Sequence, residues 1–178
     1  MNLIYSRERI QTMNIFKEFF ISLAKPGEYK SFLKLSMIRV FIYQLSISAM
    51  GFVAFLLIEL MARLVVRSDE SYGELLKIVA PQNLVITIGY MWLGICLSTL
   101  LLSVLFFAIH RFRGNKEISF KQVYVYAAHA LTISAIVNTY MGFYGTIVAI
   151  AFYYMAVKAD GERKRLGTIG LKYKEGIK

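Results

Sequence analysis

Three long apolar stretches, set apart by short charged segments, dominate the pattern of the chain. VFIYQLSISAMGFVAFLLIEL (Val40 to Leu60) and LVITIGYMWLGICLSTLLLSVLFFAI (Leu84 to Ile109) each reach the roughly 20 apolar residues with which a helix crosses a bilayer about 30 Å thick. Each predicts one membrane helix. The third stretch, Val123 to Val157, is too long for one crossing, since a single helix over it would run about 50 Å at about 1.5 Å per residue. Two helices of about 16 residues, about 24 Å each, fit with slight local thinning or snorkelling. The segment NTYMGFYG between them supplies Asn138, Gly142 and Gly145, residues suited to a turn, with Tyr140 and Tyr144 at the interface.

Charge placement points the same way. Basic residues stay on the cytoplasmic side of short loops. Arg7, Arg9, Lys17, Lys25, Lys30, Lys34 and Arg39 precede the first crossing, whereas Arg63, Arg67 and Lys77 in the next loop are offset by Asp69, Glu70 and Glu74. The following loop carries Arg111, Arg113, Lys116 and Lys121 against Glu117, and the tail is again basic with Lys158, Arg163, Lys164, Arg165, Lys172, Lys174 and Lys178. An odd number of crossings would put that tail outside. The expectation is an all-α polytopic membrane protein with four transmembrane helices, the last two a short hairpin, in the cell membrane with both termini cytoplasmic. The crossings fall near 38–65, 83–111, 122–138 and 142–158. The chain thus divides into a cytoplasmic segment 1–36, a membrane bundle 37–158 and a basic tail 159–178.

Upstream of the first crossing, IQTMNIFKEFFISLAKP places Met13, Phe16, Phe20 and Leu23 at helical spacing, with Ile15 and Phe19 on an adjoining line. A helix near 10–25 is expected, lying in the membrane interface on its Phe16, Phe19 and Phe20 face with Lys17 and Lys25 at the headgroups. Packing of the same stripe on the cytoplasmic ends of the other helices weighs equally. Pro26 and Gly27 break this helix. Met13 opens MNIFKEFF as a natural start, which leaves residues 1–12 open as an upstream extension. The loop VRSDESYGELLKIVAPQN has room for one or two helical turns ended by Pro81, and not for a ligand-binding domain. The Gly-rich tail GERKRLGTIGLKYKEGIK, with Arg163, Lys164 and Arg165, is expected to fray or to lie along anionic lipid.

Composition supports lipid as the solvent: 57% of the residues are hydrophobic, and the mean hydropathy is +0.54. The net charge of +10 flanks apolar spans instead of forming a basic face on a soluble fold, so it reads as topology and headgroup contact and not as nucleic-acid binding. The first long apolar run begins only at Val40 and passes into Glu59 and Arg63, unlike a cleaved signal peptide. The single Cys96 excludes a disulfide framework within one chain.

Intramembrane polar groups are the natural search target for chemistry, because holding them in lipid is costly. The candidates are Gln44, Glu59, Arg63, His129 and Asn138. Glu59 and Arg63 lie one helical turn apart and read as a pair at the outer end of the first crossing, ahead of a proton or ion site. His129, among Ala127, Ala128, Ala130 and Ser134, reads as a hydrogen-bonding group at a helix interface, ahead of a metal or proton role. Asn138 reads as part of the turn. Small-xxx-small spacings at Gly94 and Ser98, Ala130 and Ser134, and Gly145 and Ala149 suit close helix packing in a bundle or a homo-oligomer. No phosphate-binding Gly loop, HExxH, GxSxG or Cys/His cluster is present, so no catalytic, cofactor or metal residue is assigned.

Two blocks carry a resemblance. FKEFFISLAKPGEYKSFLKLSMIRVFIYQL (Phe16 to Leu45) and ISFKQVYVYAAHALTISAIV (Ile118 to Val137) resemble the bacterial membrane-protein family whose members are often labelled maltodextrin utilization proteins, and the second block is also similar to Yip-type membrane proteins. The resemblance implies a helical membrane fold and a location, and carries over no catalytic residue. The loop after the first helix is shorter here than that family's extracytoplasmic segment. The expected role is a non-enzymatic scaffold or accessory subunit, associated with a transporter or another membrane partner. The alternative is a small oligomeric channel or transporter built around Gln44, His129 and Asn138.

Overall fold

The computed structural model describes residues 14–66, 77, 79–115, 117–141 and 143–175; side chains at 65, 66, 137–141, 143 and 163–175 lie outside that description. Six helices and no strand occur among the described residues. Helix α1 (Ile15–Ala24) begins where the Asn14 side chain accepts from the Phe16 N–H at 3.2 Å. It ends before Pro26, which opens a 3-10 helix, Pro26–Lys34. Four long helices follow: α2 (Met37–Val66), α3 (Pro81–Phe112), α4 (Phe120–Met141) and α5 (Phe143–Glu175). The Ser36 hydroxyl accepts from the Arg39 N–H and that of Ser119 from the Gln122 N–H, both at 3.2 Å, capping the starts of α2 and α4. Lys77 and Val79 are helical and that turn stops at Ala80, before Pro81, which itself starts α3, a position where its missing N–H costs nothing. After α3 the chain reverses through Gly114 at φ +75°, the left-handed conformation that glycine adopts freely.

The long helices alternate in direction. Gln44 of α2 meets Thr99 of α3, while Gly51, further along α2, meets Met91, earlier in α3. Tyr43 and Gly51 of α2 meet Thr132 and Ala135 of α4 in the same order, so those two helices run in parallel. Gln122 near the start of α4 bonds Asp160 well along α5, the pairing of an antiparallel hairpin. The start of α2, the end of α3, the start of α4 and the Asp160 region of α5 therefore share one end of the bundle. Helix α1 and the 3-10 helix pack there, with Tyr29 and Phe32 fully buried.

Helix α4 is the centre. Every residue from Val123 to Thr132 is buried. Helices α2 and α3 are long and apolar enough to cross a membrane, yet only 22% and 17% of their most apolar stretches are buried inside the molecule. Large side chains such as Leu57, Met61, Val85, Leu97 and Leu101 face outward. The apolar surface is outside, and the helix with most buried hydroxyl and imidazole groups is inside.

Three expectations are corrected by the backbone. The hairpin turn is narrower than 138–145: Asn138 continues α4, which ends at Met141, and Gly145 lies buried inside α5, which begins at Phe143. The start of the tail, expected to fray or to lie along lipid, is helical, because α5 continues through Gly161 to Glu175. Lys30 holds Asp160 at 2.7 Å and Gln122 holds it at 2.9 Å, fixing the helix where the glycines begin, and Glu162, Arg163, Lys164 and Arg165 are good helix formers. Residues 26–34, read only as a break and a connection, form the 3-10 helix. Residues 1–13, the loop from 67 to 76 and the side chains of Asn138, Tyr140, Arg163, Lys164 and Arg165 lie outside the described residues.

Candidate functional site

Helix α1 is amphipathic in the reverse of the usual sense. Its buried face is Glu18, Phe19 and Ser22, while Phe16 and Phe20 are 61% and 65% exposed. Phe19 is thereby corrected from a lipid-facing residue to a packed one, seated with Tyr43 and Ile47; Lys17 and Lys25 are exposed. The i,i+4 spacing of Glu18 and Ser22 puts both polar groups on one side of the helix, and α4 presents His129 to them.

The cluster is closed and mostly satisfied. Ser22 Oγ donates to the Glu18 carbonyl oxygen at 2.8 Å and lies 2.9 Å from His129 Nδ1. A hydroxyl has one proton, so Ser22 accepts from Nδ1–H, and the other ring nitrogen of a neutral His129 presents its lone pair. That Nε2 faces Glu18 Oε1 at 3.7 Å, and Glu18 Oε2 accepts from Arg39 Nη2 at 3.3 Å. Tyr29 donates to the Ser22 carbonyl at 2.6 Å and approaches the His129 carbonyl at 3.4 Å, joining α1 and α4 through the 3-10 helix. Burial pushes the Tyr29 hydroxyl far above its ordinary range and keeps it a donor. Phe32 stacks on the His129 ring at 3.9 Å, and the Tyr43 ring lies 4.6 Å away. Burial also raises the Glu18 carboxyl to about 7, against the opposing pull of Arg39.

The order Ser22, His129, Glu18 looks like a nucleophilic relay, but the polarity is wrong. A nucleophilic serine gives its proton to the imidazole, whereas the Ser22 proton goes to a backbone carbonyl and the imidazole donates to Ser22. His129 is fully enclosed, so no substrate carbonyl reaches it along any surface of this conformation.

A second polar knot lies deeper. Gln44 Nε2 donates to Thr99 Oγ1 at 2.8 Å, and its Oε1 accepts from the Tyr124 hydroxyl at 3.3 Å and from Cys96 Sγ at 3.4 Å. One amide thus ties α2, α3 and α4 together. Tyr43, beside Gln44 on α2, shares a bond of 2.8 Å with Thr132 of α4, and His110 bonds the Tyr153 hydroxyl at 2.9 Å between α3 and α5.

Of the other sequence candidates, Arg63 donates to Glu59 through Nε at 3.2 Å and Nη2 at 2.9 Å, within α2. Ala130, Ser134, Gly145 and Ala149 are buried in the bundle. Gly94 and Ser98 are exposed, and nothing lies within 4 Å of where a Gly94 Cβ would be. Instead of holding two helices of this chain together, they line an open cleft of about 230 Å³ with Met91, Ile95, Leu131, Ser134 and Ala135. The close approach is at Gly51, where a Cβ would stand 3.1 Å from the Ala135 carbonyl oxygen. Among the described residues, no group of three or more His, Cys, Asp or Glu side chains is arranged to hold a metal.

Sequence reasoning missed Glu18, Ser22, Tyr29, Arg39 and Tyr43. The usable signal was a glutamate inside FKEFFIS with a serine four residues on, a polar line through an otherwise apolar helix. No protein-family model, curated protein or solved structure matches the chain.

Proposed function

We propose that the chain is a multi-pass protein of the cell membrane, with four crossings and both termini cytoplasmic, that acts as a non-enzymatic scaffold or accessory subunit for another membrane protein. The observation carrying this reading is the inverted polarity of the bundle. Its two most apolar helices turn outward, and its polar side chains are spent on one another around α4. The many large apolar side chains exposed on α2 and α3 suit lipid or a partner helix better than water. Helices α4 and α5 complete the four crossings because they form an antiparallel pair between basic segments. The resemblance to the family labelled maltodextrin utilization proteins, and more distantly to Yip-type proteins, supports the same location, and association with a transporter follows from that label alone. Anionic headgroups are the expected contact of the basic ends, and no cofactor is invoked.

A channel or transporter is the second reading, favoured by the buried Glu18 and His129 with Arg39 beside them. Transport sites gather polar groups in a water-accessible chamber near the bilayer midplane, often on broken helices. The described long helices are unbroken, and the cleft beside Gly94 is mainly apolar. Purified protein in liposomes is expected to pass neither protons nor small ions above the background of empty vesicles, and a tagged copy is expected to retain a partner from native membranes. Flux abolished by His129→Ala would replace the scaffold reading with the transport one.

A further inference from the structure

Two buried atoms on facing helices have no hydrogen-bond partner among the described residues, and they face each other: Glu18 Oε1 on α1 and His129 Nε2 on α4, 3.7 Å apart. Both side chains are at 0% exposure. The remaining half of each is committed, Oε2 to Arg39 and Nδ1 to Ser22. Without a proton between them, two lone-pair acceptors confront one another in a buried site, and each is an orphaned buried polar atom. One proton satisfies both, either on Oε1 as an acid donating to Nε2 or on Nε2 as an imidazolium donating to Oε1. These are two positions of the same proton. A shift of about 1 Å in the Glu18 side chain brings the pair to hydrogen-bond distance. A second proton would leave a buried imidazolium near Arg39 with Glu18 no longer an anion.

We propose that Glu18 and His129 together form a binding site for a single proton, and that this proton joins the N-terminal helix to the bundle. The groups facing the site come from every neighbouring element: Arg39 and Tyr43 from α2, Tyr29 from the 3-10 helix, Ser22 from α1 itself. Among the described residues, Arg39 is the fixed charge in direct contact with the carboxyl. It holds Glu18 Oε2 and leaves Oε1 to the proton. The two side chains titrate as a pair, with the proton released as one step. Burial places that step near neutrality, since it lifts the carboxyl from its ordinary 4.5 to about 7. Proton release turns the junction between α1 and α4 from a hydrogen bond into a pair of opposed acceptors, so α1, with Phe16 and Phe20 on its outer face, is the element that responds. The inference stands on the site's geometry and holds whether the protein is a scaffold or a transporter.

The test uses the full chain in lipid nanodiscs, titrated from mildly acidic to mildly alkaline pH. Infrared difference spectra follow the carbonyl stretch of a protonated carboxyl, and nitrogen NMR follows His129. The expected result is one proton lost with a midpoint near 7, seen as a protonated carboxyl or as a His129 Nε2–H, and absent from Glu18→Gln. An ionised Glu18 beside a neutral His129 already at mildly acidic pH would overturn the proposal, as would a midpoint at the ordinary 4.5. Glu18→Gln keeps a donor at this position and does not titrate. Because a folded-state value raised from 4.5 to about 7 means that the carboxyl's stabilisation is full below 4.5 and lost as the pH rises through 7, the melting temperature of the variant should gain on that of the wild type across this window and then hold its lead. Because the two side chains titrate as a pair, the difference reports loss of the shared site and not of the carboxyl alone. A gap that does not change with pH would contradict the site, and the wild-type spectra decide the matter even if the variant does not assemble.

Discussion

Gln44 shows how a single buried amide can organise a bundle, since its donor and acceptor reach α3 and α4 at once. Truncation to alanine strands the Tyr124 hydroxyl and removes the Thr99 contact. Gln44→Ala is therefore expected to lower stability by about 1–2 kcal/mol, in the upper range for polar contacts between membrane helices, as measured by reversible unfolding in detergent. A double-mutant cycle with Thr99→Val should show the two losses to be non-additive. Gln44 and His129 were legible in the sequence because a polar group within an apolar span is conspicuous. Glu59 and Arg63 were legible because their contact is local, one turn apart on α2. Glu18 was not, because it precedes the spans and its partners are distant: Ser22 and His129 are 107 positions apart. Periodicity located α1 and its Phe16 and Phe20 line, but it could not reveal that the opposite, polar line would be the buried one.

At the scale of elements, small residues do two different jobs. Gly51 lets α2 approach the α4 backbone, and a Cβ there would stand 3.1 Å from the Ala135 carbonyl oxygen. Gly51→Val is expected to destabilise the bundle by about 1–3 kcal/mol through overpacking. Gly94 faces open space, so Gly94→Ala is expected to leave stability unchanged or raise it by up to about 1 kcal/mol through helix propensity. Parallel melting curves check both, and an equal loss in the two variants would contradict the assignment. The helical pairs themselves were legible from apolar length and charge, as was the reversal between α4 and α5. Its narrowness was not, because Asn138 and Gly145 carry turn propensity that tertiary packing overrides. The extension of α5 past Lys158 was hidden for the same reason: its anchor at Asp160 depends on Lys30 and Gln122, residues remote in sequence.

For the whole molecule, the order of apolarity is the reverse of the order of burial. Helices α2 and α3 show their apolar sides outward, and α4, with His129, Thr132 and Ser134, is enclosed. In water such an arrangement would expose more apolar surface than a soluble monomer tolerates. In lipid it is the arrangement that pairs most of the buried polar side chains with one another, as a bilayer favours. The alternation of the four long helices brings the segment before α2 and the Asp160 region of α5 to the same end, which is the geometry that the proposed placement of both basic termini on one side requires. Site-directed labelling of intact cells tests this most directly, with Ser71→Cys and Gly167→Cys introduced separately after replacing the native Cys96. A membrane-impermeant thiol reagent is expected to modify Ser71→Cys from outside and Gly167→Cys only after permeabilisation. Labelling of Gly167→Cys in intact cells would contradict the four-crossing account.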